Sequence, residues 1–195
     1  MPSSLQENVL RGLREFAAPV ERRGLTIEGF RRAGVLVPLV IGTRKPELLF
    51  TKRTEEVESH KGQISFPGGM TDTGDADIVE TALREVREEL GIAASAVTVR
   101  GILDDLAVPS GFIITPVVGT LETLPPLMPN PSEVAEAFTV PLDFFCEPRN
   151  GRSEIRELHG TKREVWFYEH RGRTIWGATA MIVRTLVLKM GMLRR

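Results

Sequence analysis

Three glutamates, Glu85, Glu88 and Glu89, stand in the segment Thr81-Ala-Leu-Arg-Glu-Val-Arg-Glu-Glu-Leu-Gly-Ile92, a short loop downstream of the turn-forming Phe66-Pro-Gly-Gly69. Residues three and four apart on a helix are surface neighbours, so Glu88 and Glu89 both lie one turn beyond Glu85. Like charges that close cost an isolated helix a few tenths of a kcal/mol per pair. A hard divalent cation removes that repulsion: magnesium and manganese take oxygen ligands, and magnesium typically combines one or two carboxylates with substrate phosphates. The other side carries Val79, Ala82, Leu83, Val86 and Leu90 at helical spacing, which predicts one packed face and one acidic face. Gly91 supplies a C-terminal stop, and Asp75 or Asp77 a cap for the start. Taken by itself, the triad fits a solvated face paired with Arg84 and Arg87 at least as well as a metal site.

The whole segment decides between these. Arg84-Glu85-Val86-Arg87-Glu88-Glu89-Leu90-Gly91-Ile92 resembles the ending of the Nudix box. Upstream, Leu49-Phe50-Thr51-Lys52-Arg53-Thr54, then Gly62 and Phe66-Pro67-Gly68-Gly69, resembles the signature that precedes the box in the coenzyme A pyrophosphatase branch. There are departures. Asp75 stands where the box has a glutamate six residues after its glycine, and the loop to Arg84 carries one extra residue. Glu58 stands where the branch has arginine, and Thr54 where it has serine.

The resemblance implies an α/β/α sandwich with a mixed sheet and metal-dependent hydrolysis of a pyrophosphate bond. Its substrate would be coenzyme A or a derivative, giving a 4'-phosphopantetheine and adenosine 3',5'-bisphosphate. The alternatives are another nucleoside diphosphate derivative such as ADP-ribose, or a silent Nudix-fold binding module. Glu85, Glu88 and Glu89 are the implied ligands of Mg2+ or Mn2+, with the Gly68 carbonyl a further oxygen. Arg84, beside them in the catalytic set, would hold loop carboxylates, with Glu80 its nearest helical partner; the roles of Asp72, Asp75 and Glu80 stay open. The general base is left open between Glu85 and a carboxylate from a later loop. Glu133 and Glu136 are the candidates there, in Asn130-Pro-Ser-Glu-Val-Ala-Glu136, although Glu133 also suits a capping box. Arg53 and Lys61 are of the type that contacts phosphates. Gln63, Phe66 and Gly69 are candidate lining of the substrate pocket, Phe66 being equally suited to a core.

The frame for these residues is a chain of 195 residues with 42% hydrophobic and 26% charged residues and a formal net charge of -1. That length suits a single domain with an N-terminal helical extension over 1–30, a core over 33–170 and a C-terminal helix over 176–192. The near-neutral balance gives no basic field for a nucleic-acid partner. No apolar run approaches the roughly 18 residues of a membrane span, and the start lacks a secretory h-region. One cysteine, Cys146, forbids an intrachain disulfide and suits a reducing cytoplasm. Ser4 and Glu7 can box the start of a helix striped with Leu5, Val9, Leu13 and Phe16. Strands are expected over 33–41, with Pro38 at a kink or edge, then over 48–52, 64–66, 97–106 and 112–121. Asn130 as cap and Pro131 at the first helical position predict a short helix through Phe138. A hairpin is expected about His159-Gly-Thr-Lys162, and a last helix over 176–192. This apolar C-terminal helix and the proline-rich 124–131 loop offer surfaces for a homodimer.

Overall fold

The apolar run beginning at Ala33 becomes the central strand, because only burial on both faces hides so continuous a row of side chains. The structure, a computed structural model, describes residues 4–16, 22–55, 62–158 and 160–193. Helix α1 spans Ser4–Phe16; β1 Arg31–Val40, β2 Glu47–Arg53, β3 Ile64–Ser65 and β4 Gly68–Met70 lead to helix α2, Ile78–Leu90. Then come β5 Thr98–Ile102, β6 Leu106–Val108, β7 Phe112–Leu121, β8 Val134–Pro141 and helix α3 Leu142–Cys146. The chain ends with β9 Gly151–Leu158, β10 Thr161–His170, β11 Arg173–Trp176 and helix α4 Gly177–Lys189. Expectations at Glu58, Lys61, His159 and the Ser4 and Phe16 side chains lie outside the described residues.

β1 runs parallel to β7 from Arg31 opposite Phe112 to Val40 opposite Leu121. On its other side it pairs antiparallel with β4 at Ala33–Val35 and with β2 at Leu39–Val40. Pro38, which has no N–H to give a ladder, falls in the gap between those two stretches. Of the two placements expected for it, a kink or an edge, the edge is excluded, since Pro38 sits in the central strand opposite Gly119. Strands β9 to β11 form a separate three-stranded antiparallel sheet.

Alternation along β1 divides the core in two. Leu36 and Val40, with Leu49, Val117 and Leu121, meet Ala82, Val86 and Leu90 of α2 on one face. Val37 and Leu39, with Leu48, Phe50 and Val118, meet Val9 and Leu13 of α1 and Ile182, Val183, Leu186 and Val187 of α4 on the other. The result is a mixed sheet between helical layers, with helices added at both ends of the chain. Among the described residues no helix is long and apolar enough to cross a membrane.

Two expectations about elements are corrected. The expected 97–106 strand is broken between β5 and β6, because Asp105 turns inward to a buried charge network. Its carboxylate accepts from Arg22, from Arg32 Nη2 at 3.1 Å, from Thr115 Oγ1 at 2.6 Å and from Leu25 N at 2.8 Å. The expected helix through Phe138 is instead strand β8, which pairs with β2 from Glu47 opposite Pro141 to Arg53 opposite Val134. The helix-start signal at Asn130 is satisfied by one turn, in which Glu133 N and Val134 N both donate to the Asn130 carbonyl. Val134, Phe138, Thr139 and Val140 then favour an extended chain, and the open edge of β2 supplies the ladder. The expected hairpin forms between β9 and β10, with Leu158 opposite Thr161.

Candidate active site

Helix α2 starts where the Asp77 carboxylate accepts from Val79 N and Glu80 N, both at 2.9 Å. It stops at Gly91, in the left-handed region at φ 72°, whose N–H returns to the Arg87 carbonyl. Between these caps, burial of Ala82, Val86 and Leu90 against the sheet sets the rotation of the helix. That rotation separates the three glutamates. Glu88 is turned outward, its side chain 49% exposed, whereas the Glu85 side chain is 14% exposed and Glu89 is 3% exposed as a residue.

Glu85 and Glu89 face the Gly68-Gly69 turn, which β4 holds against β1. Gly68 N lies 3.5 Å from Glu89 Oε1. A Cβ on Gly69 would meet the Glu85 carboxyl carbon at 2.5 Å, so the carboxylate rests directly on the glycine backbone and would have to shift to make room for any side chain there. Burial pushes the Glu89 carboxyl up to about 8, opposed by the Gly68 N–H and by Arg53, and reinforced by Glu85 and Glu133. Glu85 is also raised, chiefly by burial, with Arg84 pulling it down and Glu88 and Glu133 pushing it up. Glu133, which the chain delivers from the turn before β8, is thus brought within electrostatic reach of both.

Arg84 organises the other side of this cluster. Its Nε and Nη2 reach the two Asp75 oxygens at 2.9 and 3.1 Å, and Nη2 also donates to the Met70 carbonyl at 3.0 Å. Its Nη1 donates to Glu85 Oε1 at 2.8 Å and Glu88 Oε2 at 3.0 Å. The guanidinium holds Asp75 well below the usual carboxylate range. The expected Arg84–Glu80 pairing is therefore corrected: Glu80 accepts from Ala76 N at 2.7 Å and closes the helix start. Asp75 also accepts from Thr81 Oγ1 and Asp72 N, so the loop carboxylate that the sequence left unassigned is the anchor of Arg84. Its spacing after Gly69 was the signal for this. Asp72 binds its own loop, accepting from Gly74 N.

The donor set suits a hard cation, being all oxygen. Glu89 Oε2 is buried without a hydrogen-bond partner, and Arg53 Nε, whose guanidinium attracts Glu89, is likewise buried and unbonded. Such orphaned atoms are costly unless a ligand satisfies them. Among the described residues no three acidic, histidine or cysteine side chains already converge in metal-holding geometry. Glu85 and Glu88 give their oxygens to Arg84 instead.

Two expected site residues are not brought here. Glu136 pairs with Lys52 across β2 and β8, on the face that carries Phe50 and Phe138, and its carboxylate binds Arg173. That is the opposite side of the sheet from α2, so a general-base role for Glu136 at this cluster is corrected. Phe66 is 3% exposed and stacks on Phe50 with ring centroids 4.8 Å apart, a core position and not pocket lining. Gln63 is half-buried beside the site strand, its carbonyl accepting from Arg53 N at 3.0 Å. Sequence reasoning missed the Asp105 network and the Arg173–Glu136 pair, whose partners stand too far apart in the chain for spacing to reveal.

Comparison with known proteins bears on the family and the fold. The NUDIX domain model matches residues 30–159. The protein of Pectobacterium atrosepticum named as uncharacterized Nudix hydrolase NudL is 40% identical over 161 residues, covering 82% of this chain and 83% of that one. Among solved structures, a NUDIX hydrolase from Alicyclobacillus acidocaldarius aligns with TM-score 0.51 at 18% identity, covering 62% of this chain and 83% of the other. The RenU Nudix hydrolase of M. smegmatis aligns with TM-score 0.50 at 23% identity, over 60% and 74% respectively. With the box helix, the glycine turn and the sheet that joins them all in place, the chain belongs to the Nudix hydrolase family.

Proposed function

We propose that this Nudix hydrolase cleaves the pyrophosphate bond of coenzyme A or one of its derivatives, using Mg2+ or Mn2+, to release a 4'-phosphopantetheine and adenosine 3',5'-bisphosphate. The observation that carries the reading is the pair of like-charged carboxylates, Glu89 buried and Glu85 half-buried, gathered against Gly68-Gly69. Glu85, Glu88, Glu89 and the Gly68 carbonyl would hold the cation. Bound there, it would neutralise phosphate charge and lower the pKa of a coordinated water.

The chain's own groups supply the remainder. Arg53, next to Glu89 with an unbonded Nε, is suited to hold a phosphate oxygen and so to fix the linkage over the carboxylates. Glu85 and Glu133 are the groups within reach to accept a proton from the attacking water. Arg84 keeps Glu85 oriented through Nη1 and does not itself need to touch the substrate. The choice of coenzyme A rests on the Leu49 to Gly69 segment, which resembles the coenzyme A branch and here forms β2, β3 and β4.

A substrate panel with product identification in 18O-labelled water tests this. Coenzyme A is expected to be split in a metal-dependent reaction, and ADP-ribose poorly. Equal rates on both, or preference for ADP-ribose, would reject the coenzyme A reading and leave the pyrophosphatase chemistry.

A further inference from the structure

The segment that delivers Glu133 is fastened to the end of the same helix that carries Glu89. Met128 N donates to the Leu90 carbonyl and Asn130 N to the Glu89 carbonyl, both at 2.9 Å. The Asn130 carbonyl accepts from Glu133 N at 3.0 Å and Val134 N at 2.8 Å, and Glu133 O accepts from Thr54 N at 3.1 Å. The Asn130 side chain completes the link. Its Oδ1 accepts from Ser132 N at 3.2 Å and Ser132 Oγ at 2.7 Å. A backbone N–H can only donate, so Oδ1 must face Ser132, which leaves Nδ2 to point at Glu133 Oε1, 3.4 Å away.

We infer that Asn130 is a positioning residue: through one backbone and one side-chain N–H it sets the Glu133 carboxylate against Glu85 and Glu89, and so helps to shape the cation site. The need for such a device follows from charge. The turn that carries Glu133 is bonded to Glu89 through Asn130 N and to Thr54, the residue after Arg53, so a third carboxylate is held at the end of the site where Glu89 stands; like charges gathered there repel, and the neutral Asn130 Nδ2 keeps the loop carboxylate from turning to solvent. Outer partners of this kind typically alter metal affinity or activity about 10–100-fold when removed. This inference rests on the cation-holding part of the proposed function and not on the identity of the substrate.

A double-mutant cycle on Mn2+ affinity of the purified full chain, followed by electron paramagnetic resonance of free Mn2+, tests it. Asn130→Asp keeps the oxygen that faces Ser132 but replaces the N–H aimed at Glu133 with an anionic oxygen. It is expected to weaken Mn2+ binding about tenfold. Glu133→Gln weakens it as well, and in that background Asn130→Asp is expected to change it less than about twofold. A purely structural role would lose the same factor in both backgrounds; that result, or unchanged affinity in either single variant, overturns the inference. Should the aspartate variant misfold, Asn130→Ser carries the same comparison, since its hydroxyl can serve the turn and does not reach Glu133. If coenzyme A is not cleaved but the cycle shows the coupling, the substrate reading fails and the role of Asn130 stands.

Discussion

Replacing Glu89 by Gln separates the electrostatic cost of this site from its packing. The wild-type carboxyl is pushed up to about 8 from an ordinary 4.5, chiefly by burial. A carboxyl that holds its proton more tightly when folded favours the folded state while protonated. Between about pH 4.5 and 8 the unfolded chain releases that proton first, so wild-type stability falls as pH rises through the window. The interval from 4.5 to about 8, at 1.36 kcal/mol per unit, sets a ceiling of about 5 kcal/mol. Movement of the side chain toward water as it ionises reduces this, and about 2–3 kcal/mol corresponds to about 5–10 °C in melting temperature for a chain of this size. Gln keeps an acceptor for the Gly68 N–H and never ionises. Thermal melts with chelator should therefore show the variant gaining on wild type by about 5–10 °C between pH 5 and pH 9. Saturating Mn2+ should then stabilise wild type, by about 2.7 kcal/mol at a hundred times Kd, and the variant far less. A difference between the two proteins that stays flat from pH 5 to 9 would refute the buried, proton-holding carboxyl.

Four further outcomes follow from contacts. Gly69→Ala puts a methyl group against the Glu85 carboxylate and should cut the metal-dependent rate at least about tenfold, measured as kcat, with little change in melting temperature. Arg84→Lys cannot reproduce the two-pronged bond to Asp75 together with those to Met70, Glu85 and Glu88, and should cost about 2–3 kcal/mol in denaturant unfolding. Phe66→Ala should destabilise by about 3–5 kcal/mol through a core cavity while KM at permissive temperature stays near wild type, since the ring packs on Phe50. In pH–rate profiles, Glu133→Gln should change kcat or its acid limb and Glu136→Gln should change neither, because the Glu136 carboxylate binds Arg173 on the far face of the sheet.

Much of the frame was legible because it depends on local pattern. The apolar run of Phe112–Leu121, the apolar stripe of α2 and the Gly91 stop each contain their own signal, and each forms as expected. The 130–138 segment was not legible. Its helix-start chemistry is real for one turn, but what continues it is a ladder to β2, some eighty residues away in the chain, and no local propensity reports that. The same limit hid Asp105, whose ion pairs join it to Arg22 and Arg32, and so the break between β5 and β6. At the site, spacing grouped Glu85, Glu88 and Glu89 as one acidic face. Packing of α2 then divided them, sinking Glu89 and leaving Glu88 at the surface, because the helix rotation is set by Ala82, Val86 and Leu90. Helix register also pointed Arg84 to Glu80, whereas the geometry of the loop gave it Asp75.

The central claim, that Glu85 and Glu89 facing Gly68-Gly69 form a divalent-cation site, is tested most directly by anomalous diffraction from crystals grown with Mn2+. An anomalous peak bonded to oxygens of Glu85 and Glu89 is the predicted result. Full Mn2+ occupancy at the Asp72–Asp75 loop, with no peak between the α2 glutamates and the glycine turn, would contradict it.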